Sequence, residues 1–204
     1  MPSSPDTVVT ALDPRSKNAA VRQRILKAFE DQARVVGPRG VIISELVSDL
    51  GISTKTLYRH FDNKEHIVYE LMTMWSEHWL SLQQRGFSDG LTPKQRIETI
   101  AVNWVEHMSR FSEQFWLQLE RDFPEAFEIH QLQYQAFLER SRQNLAALIR
   151  EDLNPDLALS TLMSMINQAT DGQLCDRLNL TRKNALLQLI DLWTQGAFRR
   201  ELLL

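Results

Sequence analysis

The sequence predicts an all-α protein in which an N-terminal three-helix unit with a helix-turn-helix precedes a larger helical domain. Three observations carry this expectation. Apolar residues recur three and four apart along most of the chain, the spacing of one helix face, and nothing alternates with a period of two over a useful length. Helix-start signals recur too: Thr92-Pro93 with Gln95, Ser112, Asn154-Pro155 and Thr181 each set a capping oxygen before an apolar-periodic run. Finally, two short apolar-periodic segments flank Gly51, which is the arrangement of a helix-turn-helix.

Residues 1–14, with three prolines and few large apolar side chains, read as a flexible arm, with Arg15 and Lys17 placed to reach a minor groove or a phosphate. Residues 19–36 form the first helix, with Val21, Ile25, Ala28, Phe29 and Gln32 down one side. The second ends at Gly51, which can take the left-handed conformation that a Cβ resists. Ser53 or Thr54 then offers a hydroxyl to the free N–H groups of the third. Asp62 with Glu65 reads as a capping box opening a fourth helix that runs to Arg85. Beyond the loop at 86–90, helices are expected over 93–110, from Ser112 to a break near Pro124, and over 125–152. Two more are expected over 155–177 and from Thr181 to residue 202. The expected organisation is therefore an arm at 1–14, a DNA-binding domain at 15–66 and a ligand-binding and dimerisation domain at 67–204.

Within the third helix, at ~100° per residue, Leu57 and Phe61 share a buried seam with Ile52. Lys55 and Arg59 fall opposite, with Thr56 and Tyr58 on the flanks and Thr54 near the exposed N-terminus. Such a face suits the major groove, where Arg or Lys grips guanine. Leu-Tyr-Arg-His-Phe-Asp-Asn-Lys-Glu at 57–65, preceded by Gly-Ile-Ser at 51–53, resembles the DNA-binding domain of the TetR family of bacterial transcription regulators. Arg24-Ile25-Leu26-Lys27-Ala28-Phe29 and the stretch from Gly37 to Gly40 resemble that family's first helix and the loop after it. The resemblance implies that Tyr58, His60 and Lys64 contact phosphates, and that Lys55, Thr56 and Arg59 face base edges beside Ser53 and Thr54. It also implies a dimeric repressor released from double-stranded DNA by a small ligand. The family usually has a Thr or Ser cap where this chain has Val41, Ile42 and Ile43, so Ser44 is the candidate for that cap and its phosphate contact.

Hydrophobic residues at 43% and charged residues at 24% fit an ordinary globular chain, and no apolar run approaches membrane-spanning length. The N-terminus lacks a signal-peptide pattern, and a single cysteine, Cys175, excludes an internal disulfide framework; both fit a cytoplasmic location. The net charge of −3 divides unevenly. Residues 15–66 hold ten Lys or Arg against six Asp or Glu, a balance of +4, while residues 67–204 balance at −5 and the first fourteen at −2. Positive charge thus gathers where DNA would lie.

The aromatic excess lies between residues 75 and 137. Trp75, Trp79, Trp104, Met108, Phe111, Trp116 and Phe137, with Asn103, His107 and Gln168 as polar anchors, are expected to line a pocket for an apolar or aromatic effector. A filled core is the competing reading. In the last two helices, Leu159, Met163, Ile166, Leu186, Ile190, Trp193 and Ala197 form continuous stripes. Stripes of this kind usually form the monomer's own core, but apolar residues off the main stripe (Met165, Leu187, Leu192) suggest a four-helix homodimer interface. No metal-ligand spacing, phosphate-binding glycine loop or nucleophile elbow stands out, so neither cofactor nor enzyme chemistry is expected. The expectation is a ligand-responsive homodimeric repressor of a palindromic operator. The alternatives are a DNA-binding architectural or partner-binding protein without a ligand, and a helical enzyme or adaptor with a vestigial helix-turn-helix.

Overall fold

The computed structural model describes residues 14–86, 90–170 and 172–199; of the expected arm at 1–14, residues 1–13 lie outside them and Pro14 begins the first helix, and the side chains of Arg15 and Lys17 also lie outside. The described residues are helical almost throughout: α1 (Pro14–Gly40), α2 (Ile43–Asp49), α3 (Thr54–Leu57), α4 (Lys64–Gly86), α5 (Pro93–Met108), α6 (Glu113–Asp122), α7 (Pro124–Ala146), α8 (Pro155–Thr170), α9 (Gly172–Leu178) and α10 (Arg182–Ala197). The start signals act as capping chemistry requires. The Thr92 hydroxyl accepts from the Gln95 N–H while the Gln95 side chain accepts from the Thr92 N–H, a complete capping box. Ser112, Asn154 and Thr181 likewise accept from N–H groups of the turns they open.

Several boundaries differ from the sequence expectation. The cap of α4 is Asn63, whose Oδ1 accepts from the His66 N–H at 2.7 Å, while the Asp62 N–H donates to His66 Nδ1; the box expected from Asp62 and Glu65 is displaced by one residue. The long helix after Pro124 stops at Ala146 because residues 148–150 pair instead with the end of α10. Arg150 N–H donates to the Ala197 carbonyl, Arg199 N–H to the Leu148 carbonyl, and Ile149 and Phe198 form an isolated antiparallel bridge. That same bridge ends α10 at Ala197 rather than near residue 202. Of the helix expected over 155–177, the described residues form α8 up to Thr170 and α9 from Gly172 to Leu178, with residue 171 outside the described ones.

Two apolar cores stack along α4. The lower one gathers Ile25, Leu26 and Phe29 of α1, Leu46 of α2, Leu57, Phe61, and Ile67, Val68, Leu71, Met72 and Trp75 of α4, and it also takes in Phe115 and Leu119 of α6. The upper one holds Trp79, α5, α7, α8 and α10, with Trp193 donating its indole N–H to the Ala158 carbonyl at 3.2 Å. Arg22 ties α1 to α4 through two 2.9 Å contacts with Glu70 while its guanidinium lies 4.8 Å from the Phe61 ring centre. That hydrogen bond holds the Glu70 carboxyl below its ordinary pKa.

The lower core crosses residue 66 because α6 packs on α1. Where α1 breaks, Gly37 has φ 74 and ψ 162, a conformation essentially reserved for glycine. The Gln118 side chain closes over it, its Oε1 accepting from the Arg39 N–H at 3.0 Å, and Arg39 pairs with Asp122 at 3.1 Å. A Cβ on Gly37 would stand 2.3 Å from Gln118 Oε1, whereas Gly51, also left-handed at φ 64, has open space around it. Gly37→Ala therefore adds displacement of Gln118 to backbone strain and should cost about 1–3 kcal/mol in urea unfolding. Gly51→Ala should cost only the strain, about 1–2 kcal/mol. A larger loss at Gly51 would remove the clamp role given to Gln118.

Candidate functional site

The reading head rests on α3. Ser53 is its cap: the hydroxyl accepts from the Thr56 N–H at 3.1 Å and lies 2.9 Å from the Thr56 hydroxyl. Leu57 and Phe61 are buried, which turns Lys55 and Arg59 outward; Ser53 and Thr54 are exposed with them, and Thr56 is half-buried. Tyr58 is 47% exposed, and His60, half-buried, sits on the turn after α3. The face thus carries two cations, hydroxyls and a phenol, groups that read base edges and hold phosphates. Arg24 donates to the Leu50 carbonyl at 3.2 Å and fixes the turn against α1.

Two residues of the expected surface play other roles. Lys64 donates to the carbonyls of Arg39 at 2.6 Å and Val41 at 2.8 Å, so two of its three donors hold the segment between α1 and α2. Burial, and secondarily the charge of Arg39, lower its pKa. Ser44 is not the cap of α2. Ile42 occupies that position without a side-chain hydrogen bond, its carbonyl accepting from Glu45 and Leu46, and Ser44 lies inside the first turn. A hydroxyl within the helix does not replace one at the residue before it.

The aromatic cluster divides between core and cavities. A cavity of about 210 Å³ lies between α5, α7 and α8. Its walls are Ile97, Ile100 and Trp104 from α5, Phe137, Leu145 and Leu148 from α7 and its end, and Leu159, Leu162, Met163 and Ile166 from α8, with Arg96, Ser141 and Asn144 as polar lining. A second, wider cleft of about 770 Å³ is lined by Trp104, Met108, Phe111, Trp116, His130, Tyr134 and the start of α6. Of the expected pocket residues, Trp104, Met108, Phe111, Trp116 and Phe137 therefore meet a cavity. Trp75, Trp79 and His107 do not, because they stack on one another in the interior. Asn103 lines neither space, and Gln168 is exposed on α8. The α8 stripe was legible; that it faces α5 and α7 across a cavity is a tertiary fact.

The expected dimer stripe is likewise corrected. Leu159, Met163, Ile166, Leu186, Ile190, Trp193 and Ala197 are all buried within the single chain, where α8 packs on α10. Leu159, Met163 and Ile166 face the 210 Å³ cavity. The surface left to a partner holds Leu157 and Leu192, 64% and 63% exposed, and Gly196, with open space where its Cβ would be.

His107 is 1% exposed, and neither ring nitrogen has a hydrogen-bond partner among the described residues. Its ring lies 3.7 Å from that of Trp75 and 5.5 Å from that of Trp79, nearly parallel to both. Burial, then the charges of His78, Arg110 and His130, depress its pKa to about 3; burial alone brings His130 to about 4. Among the described residues no group of three or more His, Cys, Asp or Glu is placed to hold a metal, and no helix is long and apolar enough to cross a membrane.

An all-helical chain presenting Lys55 and Arg59 from a capped helix-turn-helix, with cavities in the helices behind it, has the architecture of a DNA-binding regulator. Residues 25–71 match the family described as bacterial regulatory proteins, tetR family, a match that covers the helix-turn-helix and the start of α4. The whole fold agrees. A transcriptional regulator from Saccharomonospora viridis, in complex with choline, superposes with a TM-score of 0.73 at 18% identity, over 89% of this chain and 100% of that one. A TetR-family regulator from Streptomyces coelicolor gives 0.70 at 16% identity, over 87% and 96%. The ketosteroid transcriptional regulator of Mycobacterium tuberculosis gives 0.58 at 17%, over 93% and 99%. At these identities the likeness is one of fold. Comparison with curated proteins gave no significant sequence match.

Because His107 and His130 titrate lower in the fold than in the unfolded chain, the unfolded state binds more protons between about pH 6.5 and 3. Stability is therefore complete above that window and falls as pH drops through it. His107→Phe, which keeps a ring between the two indoles, should flatten the fall by up to ~1.4 kcal/mol per pH unit in thermal unfolding series. An unchanged slope would show that His107 does not carry it.

Proposed function

We propose that this regulator is a homodimeric repressor of a palindromic operator that is released by a small apolar or aromatic effector and acts in the cytoplasm. The observation that carries the DNA-reading role is the outward side of α3 and the turn after it, where Lys55 and Arg59 are exposed while Leu57 and Phe61 are buried. Arg59 and Lys55 address base edges, while Tyr58 and His60, on the turn after α3, address phosphates. Lys64 contributes its remaining donor from the start of α4. The effector role is supported by the two internal spaces and by the choline complex of the Saccharomonospora viridis regulator. Dimerisation through the outer faces of α8 and α10 is supported by the exposed Leu157 and Leu192 and the uncovered Gly196.

Each subunit would then read one half-site, with half-sites about one helical turn or a multiple of it apart. Effector binding alters DNA affinity only through unequal affinity for two arrangements of the reading heads. Selection from a randomised duplex library tests the assignment. Arg59→Ala should relax preference at the base pair it reads, on the order of 1–3 kcal/mol, whereas Tyr58→Ala should weaken every duplex alike. If Arg59→Ala left the selected sequence unchanged, its role as a base reader would be lost. In sedimentation at micromolar concentration the chain should run at twice 23.7 kDa, and Leu192→Asp should shift it to the monomer without unfolding it. A dimer indifferent to Leu192→Asp would move the interface elsewhere.

A further inference from the structure

The 210 Å³ cavity has an uneven chemistry. Trp104 and Phe137 stack on each other with ring centres 5.6 Å apart and planes 8° from parallel. Arg96 lies eight residues before Trp104 on α5, and Asn144 seven residues after Phe137 on α7, each about two helical turns from that pair. Between them the walls are aliphatic, from Ile97, Ile100, Leu145 and Leu162. Among the described residues that line the cavity none is acidic, and Arg96 is the only charged one. Arg96 commits Nε to the Leu91 carbonyl at 3.2 Å, which leaves its two terminal nitrogens as a fork, and no described carboxylate forms an ion pair with it. The neighbouring Lys94, by contrast, is paired with Asp191 and Glu98.

We infer that this cavity binds a straight-chain aliphatic monocarboxylate, its carboxylate on the Arg96 fork and its chain running along α5 towards the Trp104–Phe137 pair. The inference rests on the effector role proposed above and names the chemistry of the effector. A guanidinium fork matches a carboxylate in two parallel hydrogen bonds, and a wall of Ile and Leu offers no polar group to a second substituent. Length follows from the geometry. Eight residues of helix span about 12 Å, and an extended chain advances about 1.2 Å per bond, so the tail has roughly eight to ten carbons.

The test uses the full-length protein, tryptophan fluorescence, and carboxylates from hexanoate to dodecanoate with 1-alkanols and alkylamines of equal length. Carboxylate affinity should rise roughly fourfold per added methylene, and level off near ten carbons when the cavity is full. The matched amine should bind at least about tenfold more weakly, the worth of one charge-assisted hydrogen bond. Arg96→Gln should abolish the preference for carboxylate over alkanol, Arg96→Lys should retain part of it, and Ile100→Trp, which fills the cavity, should abolish binding of both. Equal binding of amine and carboxylate, or an unchanged preference in Arg96→Gln, would overturn the assignment, as would full binding by Ile100→Trp. Should Arg96→Gln fail to fold, the amine and carboxylate comparison on the unaltered protein decides. Operator release by decanoate is followed in parallel. Saturable, Arg96-dependent binding without release would leave the cavity assignment standing and end the sensor role; release without such binding would do the reverse.

Discussion

The two cores meet at one stack of rings, His107 held between Trp75 of the lower core and Trp79 of the upper. Four residues apart on α4, the two indoles point to one side of that helix, and α5 supplies the imidazole that fills the space between them. Both imidazole nitrogens and both indole N–H groups are buried without a partner among the described residues, at a typical cost of about 1–3 kcal/mol for each such group. A leucine there would carry no such cost. The stack is thus the polar weak point of an apolar column, and the position of α5 against α4 depends on it.

A second joint runs outside that column. The start of α6, with Ser112, Glu113 and Trp116, lines the wider cleft, and its far end carries Gln118 and Asp122, which hold Arg39 and the Gly37 turn. Arg39 and Val41 in turn accept from Lys64, the first residue of α4. One rigid helix therefore touches both a cleft and the entry to the helix-turn-helix. The Arg22–Glu70 pair fixes the other side of the same head to α4. Any rearrangement of the head has to break or carry along these contacts, which is the physical form that coupling between cleft and DNA face can take.

The local chemistry of the chain was legible without coordinates. Capping at Thr92, Ser112, Asn154 and Thr181 depends on residues within a turn of each other, as does the Leu57–Phe61 seam that turns Arg59 outward. The helix-turn-helix was readable for the same reason, since its geometry is set by Gly51, Ser53 and a few apolar spacings. Where a cap could fall on either of two neighbours, only the folded backbone chose: Asn63 over Asp62, and Ile42 with no side-chain cap over Ser44.

What pattern could not decide is which partner each apolar stripe meets. A helix face announces that it must be buried, not whether a neighbouring helix, a second subunit or a ligand buries it. The α8 and α10 stripes are covered by each other and by α5, with the space left over forming the cavity beside Arg96, so residues that read as an interface are interior. His107 read as a polar anchor for a ligand because a histidine among aromatics fits either role, and only packing against Trp75 and Trp79 placed it in the core. Composition, caps and the reading head are properties of short stretches and follow from the sequence; the cavities, the clamp of α6 on α1 and the choice of buried faces depend on distances between residues far apart in the chain.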